Sequence, residues 1–334
     1  MSFFKPKTYD FVGIGDTVTD AFIRLKDPHI HARLDHNEQE LCMSFGSKIP
    51  YEFVEVVKAV GNSANAAVSS ARLGLSTALV TDLGEDINGN DAIEALKKNG
   101  VETKYVRKHK GMETNYHYVL WYAEDRTILI KHQEYPYKFP HDLSTKWIYL
   151  SSFGEHSLPY HDEIATYLEK NPQVKLAFQP GTFQIKIGTE RLKRIYARTE
   201  AFFCNLEEAQ TILGSKSEIK ELLHGIAKLG PKIVVITDGP NGAYTFDGQE
   251  MLKMPEYPDP KPPYERTGAG DAFASTFVAA LGLGKSVKEA LMWGPVNSMS
   301  VVQYVGAQKG LLSREALEKY LKEGPADYKP TILS

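Results

Sequence analysis

A run of small residues followed by a carboxylate carries the clearest chemical signal in this sequence. Gly268, Ala269 and Gly270 stand where a loop is expected to turn into a helix over 269–281, and Asp271 lies in the first turn of that helix. The backbone amides of such a turn point outward beside the positive end of the helix dipole and suit an anion. A carboxylate there would accept a proton from a hydroxyl that attacks a bound phosphate. The same residues equally suit a glycine-rich helix start with a favourable dipole partner.

A second cluster of small and amide residues, Gly61-Asn62-Ser63-Ala64-Asn65, opens another predicted helix. Small residues permit close approach, and two side-chain amides supply both donors and acceptors, which suits a polyhydroxylated ligand. A tightly packed helix start with asparagine caps explains the cluster at least as well.

Two further patterns follow predicted strands. Asn205 and Glu208 share one helix face and could order a hydrated magnesium ion near phosphates, although a capping arrangement is the simpler interpretation. The turn from Thr237 through Gly239 to Gly242 follows strand 232–237, where open α/β sheets bind ligands. It also suits an ordinary hairpin into Ala243–Phe246.

Two glycine motifs do not carry the functions that they resemble. Gly13-x-Gly15 begins like a dinucleotide fingerprint, but Val18 stands where the third glycine is needed, so a dehydrogenase is disfavoured. Gly284-Lys285-Ser286 resembles the end of a P-loop but lacks the upstream glycine and strand. Ser286 is expected instead to cap the next helix, with Glu289 completing a capping box.

Composition excludes several classes of protein. The 334 residues include 39 basic and 42 acidic side chains, a net charge of −3, so general attraction to nucleic acid or to an anionic membrane is not expected. No stretch approaches the ~20 apolar residues of a membrane span. The two cysteines, Cys42 and Cys204, cannot form a disulfide framework, and a reduced, cytoplasmic setting is expected.

The order of predicted elements indicates an α/β core carrying a small β excursion. Apolar strands alternate with helices after residue 146, which implies a mainly parallel sheet covered on both faces. Strand Thr19–Leu25 and the hairpin 114–131 are expected to form a lid, and the polar stretch 26–58 is expected to be irregular. The predicted division is a core made of 1–16, 59–101 and 139–334 and a lid made of 17–58 and 102–138.

Together and in order, these motifs resemble the ribokinase-like (PfkB) family of carbohydrate and nucleoside kinases. The resemblance covers 9–25, 60–100, 113–131 and 201–312 and implies that family's three-layer α/β fold with a β-sheet lid. It makes Asp271 the catalytic base and residues 268–270 the anion hole. It also assigns substrate binding to Asp20, Gly61, Asn62 and Asn65, magnesium ordering to Asn205 and Glu208, and nucleotide binding to Thr237, Gly239 and Gly242.

The sequence departs from the family pattern at three places. Val60-Gly61 replaces the usual Gly-Gly, and Gln179 ends a strand where the family more often has Asp. Glu265-Arg266 replaces the Asp-Thr before the turn, which leaves open the monovalent cation (K⁺) that relatives often bind there. Arg266 places a permanent charge near the phosphate path, which could assist transfer.

The sequence therefore predicts a kinase that uses ATP and Mg²⁺ to phosphorylate a hydroxymethyl group of a small sugar. A nucleoside kinase is the alternative, because the aromatic strand Tyr116–Tyr122 with Tyr135 and Tyr137 could stack a base. A non-catalytic sugar or nucleotide sensor on the same scaffold is a further alternative. Lid sheets leave a face or an edge to be covered, so a homodimer through the lids is expected.

Overall fold

The structure, a computed structural model, describes residues 7–26, 31–35, 38–122 and 125–333. Its strands, in chain order, are β1 (Tyr9–Ile14), β2 (Val18–Leu25), β3 (His31–Asp35), β4 (Glu38–Cys42), β5 (Tyr51–Val60), β6 (Thr77–Gly84), β7 (Val101–Glu102), β8 (Val106–His109), β9 (Asn115–Tyr122), β10 (Asp125–Leu129), β11 (Thr145–Leu150), β12 (Lys175–Phe178), β13 (Thr199–Asn205), β14 (Ile233–Thr237), β15 (Ala243–Phe246), β16 (Met251–Met254) and β17 (Thr331–Ile332).

The helices surround the larger of the sheets. They are α1 (Asn62–Arg72), α2 (Ile87–Lys98), α3 (Leu158–Lys170), α4 (Thr182–Ile187), α5 (Lys193–Arg198), α6 (Leu206–Leu213), α7 (Ile219–Ala227), α8 (Ala269–Gly282), α9 (Val287–Val301) and α10 (Arg314–Glu323). No helix in the described part of the chain is long and apolar enough to cross a membrane.

The large sheet is parallel through its centre. Its order is β17-β16-β15-β14-β13-β12-β11-β1-β6-β7, with β8 also paired to β6. The pairs from β7 to β14 are parallel, and β15, β16 and β17 extend the sheet antiparallel. Helices pack on both faces of this sheet. Val12 of β1 packs with residues of α3 and α7, and its neighbour Phe11 packs with residues of α8 and α9. A sheet buried on both faces explains its continuous apolar strands, and the predicted α/β fold class is confirmed.

A four-stranded lid sheet stands beside this core in the order β10-β9-β2-β5. Strand β2 is parallel to β9, and the other two pairs are antiparallel. Its inner face contributes Phe22, Val119 and Trp121 to a small apolar cluster with Val305 of the core. The lid therefore rests on the segment that follows α9.

The predicted irregularity of residues 26–58 is wrong over much of that stretch. Strand β5 occupies ten residues of it, and β3 pairs with β4 as a separate hairpin, while 27–30 and 36–37 lie outside the described residues. Burial alternates along β5 because only one face of the strand is covered: Val54, Val56 and Lys58 are exposed, whereas Phe53, Glu55 and Val57 are half-buried. Glu52, Glu55 and Lys58 recur every third residue, so the sequence itself shows no two-residue alternation of polar and apolar residues.

Two other boundaries also need correction. Val106–His109, placed by the sequence in the lid range 102–138, pairs instead with β6 of the large sheet. The alternation of strands and helices after residue 146 predicts a helix between β12 and β13, and the chain forms two short ones there, α4 and α5, because Gly188 adopts a φ of 89° and ends α4. The division into core and lid is otherwise a prediction that no comparison tests.

Candidate active site

The carboxylate of Asp271 lies at the centre of a hydrogen-bonded amide cluster. Its Oδ1 accepts hydrogen bonds from Asn62 Nδ2 at 3.0 Å and from Gln179 Nε2 at 3.2 Å, and its Oδ2 accepts one from Asn65 Nδ2 at 2.8 Å. Burial raises the pKa of Asp271, while these hydrogen bonds act against the rise. A partly buried carboxylate held in fixed orientation is suited to accept a proton.

The start of α1 is held against β1 by close packing, which places both asparagines. A Cβ on Gly13 would lie 2.7 Å from Ser63 O, and one on Gly15 would collide with Ser63 Oγ. Ser63 Oγ donates a hydrogen bond to Ile14 O at 2.7 Å. The Gly13-x-Gly15 motif therefore serves helix packing, which explains why it resembled a dinucleotide fingerprint without completing one.

The turn before α8 is the segment for which the sequence predicts an anion site. Gly268 caps the helix with a φ of 82°, in the left-handed region that glycine tolerates. A Cβ there would lie 2.6 Å from Ala307 Cα, so the position also lacks room for a side chain. Just upstream, buried Glu265 accepts hydrogen bonds from Thr267 N at 2.8 Å, Thr267 Oγ1 at 2.6 Å and Gly306 N at 3.3 Å.

A cavity of about 290 Å³ opens beside this turn. It brings together residues predicted from two separate parts of the sequence: Thr237, Gly239, Gly242, Arg266, Ala269 and Gly270. Arg266 is exposed at this cavity, and its role near a phosphate path stays a prediction. Glu256 and Asp259 also line it, and burial raises the pKa of both carboxyls.

Asn205 and Glu208 form the capping arrangement that was the simpler interpretation of their spacing. Asn205 Oδ1 accepts from Glu208 N at 2.8 Å, and Glu208 Oε2 accepts from Asn205 N at 2.9 Å. Burial raises the pKa of Glu208, and the negative charge of Asp271 raises it further, so the two carboxylates act on each other. The described residues contain no cluster of three or more metal-binding side chains. A magnesium role for this pair stays a prediction.

Asp20 lies apart from the Asp271 cluster, on the inner face of the lid. It is buried on β2, and its Oδ1 lies 3.4 Å from His117 Nδ1 on the neighbouring strand β9. That contact does not have hydrogen-bond geometry, and Asp20 Oδ1 has no hydrogen-bond partner. The other ring nitrogen of His117, Nε2, is also buried without a partner. Asn115 Nδ2, two residues before His117 on β9, is likewise buried without a hydrogen-bond partner. Buried polar atoms in this state suit a bound polar ligand.

A second carboxylate and histidine adjoin that pair. The ring of His132 lies 5.4 Å from that of His117, and its Nδ1 lies 3.4 Å from Asp16 Oδ2. Asp16 is buried and accepts hydrogen bonds from Tyr137 Oη at 2.8 Å and Gly154 N at 3.0 Å. Burial, with the charge of Asp16, raises the pKa of Tyr137, which keeps the phenol protonated. His132, Tyr137 and Gly154 line a smaller cavity of about 160 Å³.

Sequence reasoning missed Asp16, His117, His132 and Gln179 as site residues. No local spacing links them, because they come from the loop after β1, from β9, from the segment after β10 and from the loop after β12. The available signal was positional: Asp16 and Gln179 directly follow buried parallel strands, where ligands bind in open α/β sheets.

Comparisons with known proteins agree with this geometry. A model described as pfkB family carbohydrate kinase matches residues 31–314. An ATP-dependent 6-phosphofructokinase from Thermoanaerobacterium thermosaccharolyticum is 26% identical over 74% of this chain and 80% of its own length. A nucleoside kinase from Methanothermobacter thermautotrophicus is 25% identical over 81% of this chain and 87% of its own length.

A solved structure shows the same fold. Arabidopsis thaliana ribokinase complexed with ribose and ATP superposes with a TM-score of 0.77 at 22% identity, covering 95% of this chain and 99% of that one. The match confirms the predicted ribokinase-like fold, with a mainly parallel sheet between helices and a small lid sheet.

Proposed function

The chain belongs to the pfkB family of carbohydrate kinases, phosphotransferases with an alcohol acceptor, and we propose that it transfers the γ-phosphate of ATP to a hydroxymethyl group of a small sugar. The observation that carries this proposal is the position of Asp271. Its carboxylate is held by Asn62, Asn65 and Gln179 in the same helix turn whose preceding residues line the large cavity.

The proposed reaction uses groups that are already in place. The acceptor hydroxyl gives its proton to Asp271 as its oxygen bonds to the γ-phosphorus, and the bond from that phosphorus to the bridging oxygen breaks to release ADP. The amides of residues 268–271 stabilise charge on the transferring group. Arg266 adds a permanent positive charge at the same cavity.

Magnesium would be ordered through water by Asn205 and Glu208. One carboxylate and one amide are oxygen donors of the kind that Mg²⁺ takes, and it commonly keeps several waters. Each side chain uses one oxygen in the capping box, and the second Glu208 oxygen is left for a metal-bound water. When bound, the ion would neutralise charge on the phosphates.

Asp271→Asn tests the assignment of the base. We expect kcat to fall by at least ~10²-fold, the scale of a lost general base, while ATP binding persists because the amides are unchanged. ADP formation is measured with a coupled assay, and ATP binding by calorimetry. Near-normal turnover in this variant would end the proposal. ATP binding without ADP formation in the wild-type chain, with any acceptor, would favour the non-catalytic sensor.

The acceptor is proposed to be a neutral sugar. Asp16 and Asp20 place two buried carboxylates beside the unpartnered polar atoms of His117 and Asn115, and such a site disfavours an anionic group. A panel of ribose, fructose, fructose 6-phosphate and adenosine, each with ADP readout, tests this directly. Preference for fructose 6-phosphate would overturn the neutral assignment.

A nucleoside kinase is the second candidate, and the relative from Methanothermobacter thermautotrophicus motivates it. Several of the aromatic rings that suggested base stacking are engaged elsewhere. Trp121 packs against Tyr264, Tyr137 packs between Phe153 and Tyr160, and Tyr118 is 49% exposed. These contacts favour the sugar. Adenosine phosphorylation faster than that of any sugar would reverse the order.

The lid is also proposed to form a homodimer through its outer face. Register places Val56, Ala21, Tyr118 and Leu129 in one row across all four lid strands. Val56, Tyr118 and Leu129 are 46%, 49% and 52% exposed, and a flat apolar row of this kind can pair with its own copy about a two-fold axis.

Light scattering at micromolar concentration tests the dimer. The wild-type chain should have twice the monomer mass, and Val56→Asp should halve it. Ile87→Asp is the matched control, since Ile87 is 78% exposed on a core helix. A monomeric wild-type chain would overturn this part of the proposal.

A further inference from the structure

We propose that Arg126, on the lid strand β10, is a positioning residue for phosphoryl transfer that fastens the closed lid to the loop forming the anion site. This inference rests on the proposed kinase function. It assigns a role to a residue that no sequence motif singled out.

Arg126 reaches the core from the inner face of the lid. It stands opposite Trp121 in the β9–β10 register, and its Nε lies 3.7 Å from Oε1 of Glu265. The Glu265 side chain is 2% exposed, whereas that of Arg126 is 27% exposed. The pair therefore joins a lid cation to a buried core carboxylate, where screening by solvent is weak.

Glu265 transmits this contact to the anion turn. Its Oε1 accepts hydrogen bonds from both the N and the Oγ1 of Thr267, the residue before Gly268. Its Oε2 accepts from Gly306 N, next to the core segment that carries the lid. A lid displaced from Arg126's present position would leave Glu265 buried with its charge uncompensated, which is costly.

A second residue of the lid contacts the same loop, 264–268. Trp121 meets Tyr264 edge-to-face at 5.0 Å, and Tyr264 N donates to Val302 O at 2.8 Å. Val302 lines the large cavity. Lid position, the loop 264–268 and the cavity wall are thus joined by direct contacts.

The charge of Arg126 also acts on the proposed base. It lowers the pKa of Asp271, in the same direction as the hydrogen bonds from the three amides. Burial acts in the opposite direction, and Asp271 in turn raises the pKa values of the titratable groups facing it, Glu208 and Tyr149. With the lid in place, the charge of Arg126 therefore favours the ionised form of Asp271, the form that accepts a proton. If the contact between Arg126 and Glu265 served stability alone, its removal would leave the pH dependence of turnover unchanged.

Arg126→Gln, Arg126→Lys and Glu265→Gln test this role, with Lys131→Gln as the matched control. Lys131 is also a cation in this region, but it is exposed and pairs with exposed Glu113. In Arg126→Gln we expect kcat to fall at least ~10-fold, the KM for ATP to change less than ~3-fold and the acid limb of kcat/KM to move to higher pH. Arg126→Lys should recover part of the loss and restore the pH profile, because the charge remains.

The double variant Arg126→Gln/Glu265→Gln separates a coupled pair from two independent effects. For a coupled pair, it loses no more activity than the more damaged single variant. If the activity losses of the two single variants instead multiply in the double variant, the proposal is overturned. A wild-type kcat and pH profile in Arg126→Gln would also overturn it, as would an equal loss of kcat in Lys131→Gln.

Hydrogen exchange of the amides in 115–122 and 264–268 gives a readout that does not need turnover. Arg126→Gln should speed exchange in both segments, and Lys131→Gln should not. If the wild-type chain forms no ADP with any acceptor, the kinase proposal fails on its own terms. Even then, unchanged amide hydrogen exchange in Arg126→Gln would refute the proposal that Arg126 fastens the lid to the loop.

Discussion

Replacing Gln179 by glutamate would place a second carboxylate against Asp271 and should move the pH dependence of catalysis. Gln179 Nε2 donates to Asp271 Oδ1 at 3.2 Å, and its Oε1 accepts from the Tyr149 hydroxyl. Two unit charges at that separation repel by about 5 kcal/mol at an effective dielectric constant of about 20. This corresponds to about 4 pKa units, and separation of the side chains would reduce it to about 2.

The sign follows from the proposed role of Asp271 as a base. A neighbouring carboxylate raises its pKa further, the pair retains one proton, and activity is lost as pH falls through the raised value. The acid limb of kcat/KM should therefore move up by about 2 units, with partial recovery of turnover near pH 9. Initial rates of ADP formation between pH 5 and 9, under saturating Mg·ATP, measure the limb.

Gln179→Met is the matched comparison, because it keeps the side-chain length and removes the donor to Asp271, together with the acceptor for Tyr149, without adding a charge. Loss of one hydrogen bond to a carboxylate should move the limb by about 1 unit in the same direction. Thermal melting at pH 8 separates folding defects from changes in the site. An acid limb in Gln179→Glu that coincides with that of the wild type would refute Asp271 as the titrating base.

Four other variants have defined outcomes. Gly268→Ala puts a Cβ 2.6 Å from Ala307 Cα at a φ of 82° and should cost about 1–3 kcal/mol in denaturant unfolding, with a higher KM for ATP. Glu208→Gln keeps a side chain that can cap and should leave the melting temperature nearly unchanged while raising the Mg²⁺ needed for half-maximal rate. Asn205→Ala should lose about 1 kcal/mol of stability, and equal Mg²⁺ requirements in all three proteins would remove the metal role. Hydrogen bonds from Thr114 and Gly89 outweigh burial and lower the pKa of Asp86, so Asp86→Asn should destabilise at pH 7, and the difference should shrink below pH 3.8 as wild-type Asp86 takes up a proton.

Local chemistry made some of the structure predictable. Ser286 and Glu289 form the capping box read from their spacing, with Glu289 N donating to Ser286 Oγ at 3.2 Å. The helix predicted to begin after the glycine-rich turn does begin at Ala269, with Gly268 as its cap. In both cases, residues within a few positions of one another decide the backbone.

The side chains around Asp271 could not be grouped from the sequence because they come together only in the folded chain. Gln179 meets Asp271 across 92 residues, and Asn62 meets it across 209, so no window of sequence contains the cluster. Strand β5 was missed for a different reason. A lid strand with one solvated face carries charged residues that, without knowledge of its partner β2, look like those of a loop.

Gly13 and Gly15 contact Ser63, so the position of α1, and with it the distance from Asn62 and Asn65 to Asp271, depends on residues outside the amide cluster. Tolerance to mutation should therefore not fall off smoothly with distance from the reacting atoms. A single methyl group on β1 would push α1 outward and withdraw Asn62 and Asn65 from the carboxylate that they orient. In a library scored by turnover, positions 13 and 15 should be as intolerant of change as the proposed base itself, and a designer who altered only pocket-lining residues would overlook them.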